Sequence, residues 1–143
     1  MAQPVTPRHA ASLVIYRQGA KGREVFMGRR HQAARFQPGV YVFPGGMIER
    51  SDHLAHSISD LDRSITAKIA VGGSHGRAAA LAMAAVRETF EETGLVVGAP
   101  GEVGSSRDPT WSRFRELGLA PDLQQLGYIG RAITPSAQSI RFH

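Results

Sequence analysis

The chain contains no cysteine, and lysine is nearly missing, with only Lys21 and Lys68. Without thiols there is no disulfide scaffold, no thiolate nucleophile and no zinc site built on sulfur. A cysteine-free chain fits a reducing compartment, so the cytoplasm is the expected location. Long apolar runs are lacking too. None approaches the roughly 18 residues of a membrane span, and Met1 to Ala11 has too little apolar length for a signal peptide. No aromatic-rich RNA-binding motif occurs. Neither a membrane nor a nucleic acid is therefore an expected partner.

What is present suits one packed domain over residues 1–143. Hydrophobic residues make up 42% and charged residues 20%, a balance that can fill a core and argues against disorder. The formal charge of +5, carried almost wholly by arginine, suits an anionic partner such as a phosphate ester. A plain basic surface would give the same count.

Along the chain, residues 1–10 read as a loose arm. Ala11 to Tyr16 is strand-like, Gln18 to Gly22 a turn, and Glu24 to Gly28 the returning strand of a hairpin. Phe36-Gln37-Pro38-Gly39 turns the chain into the short strand Val40 to Phe43, which Pro44-Gly45-Gly46 ends abruptly. Leu61, Ile65 and Ile69 recur at helical spacing, with Asp60 as the expected cap and Gly72-Gly73-Ser74 as the stop. A longer helix is expected from Arg77 to Thr93, favoured by six alanines between Ala78 and Ala85 and closed by Gly94. A loop over Gly98 to Asp108, helical pieces at Pro109–Leu117 and Pro121–Leu126, and a strand over Tyr128–Ile133 follow. The alternation of strands and helices gives the class α/β.

The chemistry concentrates in Arg87-Glu88-Thr89-Phe90-Glu91-Glu92-Thr93-Gly94-Leu95. On a helix, Glu88, Glu91 and Glu92 share one face. They repel one another by roughly 0.2–0.5 kcal/mol per pair and oppose the dipole at the helix end. A cation bridging them removes both penalties, and an all-oxygen carboxylate set suits Mg²⁺ or Mn²⁺. A solvated acidic helix end explains the same three residues and stays open at this point. Phe90, Val86, Met83 and Ala79 mark the opposite, core-facing side.

Phe43-Pro44-Gly45-Gly46 brings a glycine pair to a strand end, where a backbone carbonyl can approach a metal or phosphate. With the acidic nonapeptide it resembles the Nudix family, whose signature is G-x5-E-x7-R-E-U-x-E-E-x-G-U, U being a bulky apolar residue. Arg87, Glu88, Glu91, Glu92, Gly94 and Leu95 match at every fixed position of the second half, with Thr89 in place of the first U. In the first half, Asp52 stands five residues after Gly46 where the signature has Glu. From His53 to Val86 there are 34 residues where the signature has 7, an insertion of 27 that covers the segment 53–76. This interrupted box looks like the Nudix branch that includes hydrolases of coenzyme A and its acyl esters.

The resemblance implies an α/β/α sandwich with a mixed sheet, incomplete at its C-terminal end in residues 1–143. It implies a hydrolase of a diphosphate within a small molecule, a nucleoside diphosphate linked to a group X, that uses Mg²⁺ or Mn²⁺. Glu88, Glu91, Glu92 and the Gly46 carbonyl are the implied metal ligands. Glu88, or a carboxylate in a later loop, is the implied base, and Arg87 orients the glutamates. Asp52 is a candidate for an ion pair within the box. Arg29 and Arg30, with His31 beside them, are candidates for substrate phosphates or for a solvated turn. His53, His56 and His75 read as surface residues, and Trp111 and Phe114 as core. The insert is expected to be a surface excursion whose stripe Leu61-Ile65-Ile69 packs on the domain or on the second subunit of a homodimer. The alternative function is a Nudix module that binds a ligand without hydrolysing it. Such modules usually lose a box glutamate or the arginine, and all are present here.

Overall fold

The alanine-rich stretch organises the molecule, because small side chains let neighbouring elements approach from several sides at once. In the computed structural model, residues 6–34, 37–70, 73–135 and 142 are described. In chain order the elements are β1 (Ala10–Ser12), β2 (Tyr16–Gly19), β3 (Gly22–Val25), β4 (Gly28–Arg29), β5 (Tyr41–Val42), β6 (Gly45–Met47), α1 (Arg50–Leu54), α2 (Arg63–Ile69), α3 (His75–Thr93), β7 (Gly98–Pro100), α4 (Pro109–Glu116), β8 (Leu119–Pro121) and a 3-10 turn over Leu123–Gln125. The class is α/β, as expected.

Helix α3 touches β1 and β6 on one side and α1, α2 and α4 on others. It begins two residues before the expected Arg77, because the Ser74 hydroxyl accepts from the Arg77 N–H at 3.2 Å and caps the first turn. It ends at Gly94, whose φ of +74° is the left-handed conformation that glycine adopts without steric cost. The middle of α3 is buried almost all round, from Ala78 and Ala80 through Ala82 to Arg87 and Thr89.

The core gathers Leu61, Met83, Val86, Val103, Trp111, Phe114, Ala120 and Leu123, with Phe90, Ile65 and Ile69 packed against it. Trp111 and Phe114 meet edge to face at 5.4 Å between ring centres, and Phe114 and Phe90 at 5.2 Å. Both expected core aromatics are there.

The named ladders are antiparallel pairs: β1 with β6, β2 with β3, β4 with β5, and β7 with β8. Parallel register enters as isolated bridges, Arg8 with Phe142 and Ser59 with Asp122. The expected hairpin is β2–β3, closed by the two residues Ala20-Lys21. The strand expected from Ala11 to Tyr16 is split. β1 lies on β6, while the chain switches partners near Leu13, whose N–H bonds the Pro44 carbonyl at 2.9 Å. Of the expected arm, residues 1–5 lie outside the described residues, but Arg8 forms its bridge and Ala10 opens β1.

Several other expectations are corrected. The cap of α2 is Asp62 and not Asp60, since the Asp62 carboxylate accepts from the Ser64 N–H at 2.8 Å. A strand, β7, lies inside the stretch expected to be all loop. It pairs with β8 at the start of a piece expected to be helical, of which only Leu123–Gln125 winds. No strand forms over Tyr128–Ile133, and Ile129 is 79% exposed there, so that run finds no sheet to pair with among the described residues. The stop Gly72 and most of the turn residue Phe36 and tail Ser136–His143 readings lie outside the described residues. The insert does not stay at the surface: its stripe packs on the domain, as expected, but Leu61 goes into the core itself, with Ile65 and Ile69 against it. The His56 and Ile58 N–H groups bond the Val103 and Pro121 carbonyls at 3.0 and 2.9 Å.

Candidate active site

Arg87 is 2% exposed, and a buried guanidinium without partners would be very costly. All five of its N–H groups are taken. Nε and Nη2 fork onto Asp52 at 2.8 and 3.2 Å, and Nη2 also donates to the Met47 carbonyl at 2.9 Å. Nη1 donates to Glu88 at 3.0 Å and to Glu91 at 3.3 Å. Burial works against the charge, but Asp52 first, then Glu88 and Glu91, outweigh it and raise the Arg87 pKa above its ordinary value. Asp52 is buried as deeply, and its second oxygen accepts from the Glu49 N–H at 2.8 Å at the start of α1. The expected ion pair therefore forms with the shorter carboxylate, because α1 packs directly on α3.

From this hub the three glutamates fan out. Glu88 lies against Gly46, where an added Cβ would run into its carboxylate. Only glycine leaves that approach open. Glu92 accepts from the Gly45 N–H at 3.1 Å. Glu91, besides Arg87, accepts a short 2.6 Å bond from the Thr110 hydroxyl. Burial, opposed by Arg87 and reinforced by Glu91 and Glu92, holds the Glu88 carboxyl above its usual range. The three carboxylates thus press on one another, as their spacing requires. Among the described residues, no three acidic or histidine side chains already form a closed metal cage.

Beside the glutamates, α3 buries polar residues as well as apolar ones, Arg87 and Thr89 among them. Thr89 replaces a bulky apolar residue without cost to its hydroxyl, which donates to the Ala85 carbonyl one turn back at 2.7 Å. Thr110 is the site residue that sequence reasoning missed. It stands at the second position of α4, behind the cap Asp108, and nothing local to it points toward Glu91. Arg29 ends β4, opposite β5, and Arg30 follows it directly. Arg29 turns its guanidinium to the Gly39 carbonyl at 3.3 Å, and the Arg30 main chain pairs with Val40 and Gly39. His53, His56 and His75 are exposed, as expected.

A crystal structure of a NUDIX hydrolase from Alicyclobacillus acidocaldarius, 33% identical in sequence, superposes on 96% of this chain and 66% of its own chain with a TM-score of 0.68. The chain belongs to the Nudix family. A Caenorhabditis elegans protein named "Putative nudix hydrolase 7" is 32% identical over 108 residues, which is 76% of this chain and 28% of that relative. The chain thus spans less than a third of that curated relative. No family model matches. Within the Nudix frame, Gly46, Arg87, Glu88, Glu91 and Glu92 meet at one place, β6 against the last turns of α3, so the glycine pair expected to end a strand instead opens one.

Proposed function

We propose that this Nudix chain is a metal-dependent hydrolase of the diphosphate linkage in a nucleoside diphosphate–X compound, acting in the cytoplasm, with coenzyme A and its acyl esters as candidate substrates. The observation that carries this reading is the engagement of Arg87. Its Nε and Nη2 anchor it to Asp52 and the Met47 carbonyl, and its Nη1 holds Glu88 and Glu91 beside the glycine pair of β6, where an acidic cluster would otherwise scatter into solvent.

The donor set fits a hard divalent cation, Mg²⁺ or Mn²⁺. Glu88, Glu91, Glu92 and the Gly46 carbonyl offer only oxygen, and the space a Cβ would fill at Gly46 faces Glu88. Such a cation would supply charge neutralisation at the diphosphate and a more acidic bound water. The chain's own residues do the rest. Arg87 fixes the glutamate carboxylates by charge-assisted hydrogen bonds, so little reorientation is needed when a substrate arrives. Glu88, or a carboxylate in a later loop, would accept the proton from attacking water. Thr110 holds Glu91 by its hydroxyl and so keeps it from swinging away.

Glu92→Gln tests this. The amide oxygen can still accept from the Gly45 N–H, so the fold should survive while one ligating charge is lost. Turnover of a diphosphate substrate in Mg²⁺ or Mn²⁺ should fall by about a hundredfold or more, the scale of a lost preorganised charge. Near-normal metal-dependent turnover would sink the assignment.

A further inference from the structure

A second concave site lies at the other end of α3. A cavity of about 410 Å³ is lined by Arg8, His9, Met47, Ile48, His53 and Arg77. Among its described walls there are two arginines and two histidines and no carboxylate. Neither arginine belongs to an ion pair among the described residues. Arg8 is placed by its main-chain bridge to Phe142 and by a 3.8 Å contact of Nη1 with the Met47 sulfur. His9 is placed by its carbonyl, which accepts from the Ile48 N–H at 3.1 Å. His53 stands in the last turn of α1 and Arg77 in the first turn of α3.

The helix itself adds to the positive field. The N-terminus of α3 carries the positive end of its dipole, and its first turn holds no acidic residue, although acids are favoured there. Arg77 is placed against that preference. An anion in the cavity would restore the balance, meeting the two guanidinium forks of Arg8 and Arg77 and the His53 imidazole together. We propose that this cavity is a binding site for the phosphate group of a phosphorylated small molecule. Arg77 and Glu88 are eleven positions apart on α3. They therefore share a helix face and lie about 16 Å apart along its axis. The site lies beyond the glutamate hub along α3, with Met47 standing between them, and of its walls His53 opens the insert and Arg77 follows it.

The test uses the whole chain in EDTA, titrated with inorganic phosphate and followed by amide chemical shifts. Saturable changes at Ile48, His53, Gly76 and Arg77 are expected. Arg77→Gln and Arg8→Gln, on opposite walls, should each weaken phosphate about tenfold, the loss of a charge-assisted contact. Arg23→Gln, on the exposed β3, and Glu92→Gln should leave the affinity unchanged. Equal weakening in Arg23→Gln, or shifts that never saturate, would mean diffuse attraction by a basic chain and would overturn the site. Circular dichroism checks each variant's fold, and the two walls give independent readings. Two diphosphate substrates differing only by a second phosphate separate the sources, an arm that rests on the proposed hydrolase activity. A KM rise in Arg77→Gln confined to the doubly phosphorylated one assigns the pocket to the substrate. Equal KM values with the same loss of phosphate binding assign it to a separate phosphorylated molecule.

Discussion

Arg87 and Asp52 form the kind of buried pair in which each charge is tolerable only because of the other. Their side chains are both essentially sealed from solvent, so removing one partner strands the other. Asp52→Asn keeps the shape and one acceptor but removes the counter-charge. Glu88 and Glu91 still face Nη1 and offset part of the loss. The expected cost is about 3 kcal/mol, the lower end for a broken buried pair, read from urea unfolding. A cost below about 0.5 kcal/mol, typical of a surface change, would show that the pair adds nothing. The replacement of Glu by Asp was plain in the sequence. That the shorter side chain still reaches was not, because reach depends on how closely α1 lies on α3, a tertiary quantity. Thr110 was hidden for the same reason: its hydroxyl matters only because α4 docks beside Glu91.

At the scale of elements, α3 was the most legible part, since an alanine run, an acidic triplet and a terminal glycine all agree on one helix. The insert was the least. Leu61, Ile65 and Ile69 announced an apolar stripe, but the hydrogen bonds that bind 56–59 to Val103, Pro121 and Asp122 join residues far apart in sequence. Strand β7 was masked because Gly98-Ala99-Pro100 has no β-branched or aromatic residue and forms only through its partner β8. Tyr128–Ile133 erred the other way, having strand composition but joining no strand pair among the described residues. The seam between insert and C-terminal segment has a pH signature. The Ser59 hydroxyl bond, then those from Gln125 and the Gln124 N–H, hold the Asp122 pKa below its ordinary 3.8. A depressed carboxylate pKa contributes stability that is fully present above the unfolded value and is lost as pH falls through the folded one. Wild type should therefore exceed Asp122→Asn in urea midpoint by a constant margin at neutral pH, and the margin should shrink below pH 3.8. A margin independent of pH down to acid unfolding would rule out Asp122 as the cause.

Across the whole molecule, α3 joins two ends of opposite sign, with Glu88, Glu91 and Glu92 in its last turns and Arg77 in its first. The acidic end is held together against its own repulsion, and Arg87 has no donor to spare beyond the Nη1 group already given to Glu88 and Glu91. Burial, reinforced by the repulsion that remains, raises the Glu88 pKa and weakens the folded state at neutral pH. A divalent cation that binds the folded cluster and not the unfolded chain must stabilise the fold by linkage, about 2.7 kcal/mol at a hundred times its Kd. For a domain of this size that corresponds to several degrees in Tm. Thermal unfolding in EDTA, then with rising Mg²⁺ or Mn²⁺, should show Tm climbing with the logarithm of metal concentration. In Glu92→Gln the climb should begin only at higher metal concentration, because one ligating charge is gone. Arg23→Gln should behave as wild type. A Tm indifferent to either metal, or one that rises equally in wild type and Glu92→Gln, would show that the three glutamates do not act together on a cation.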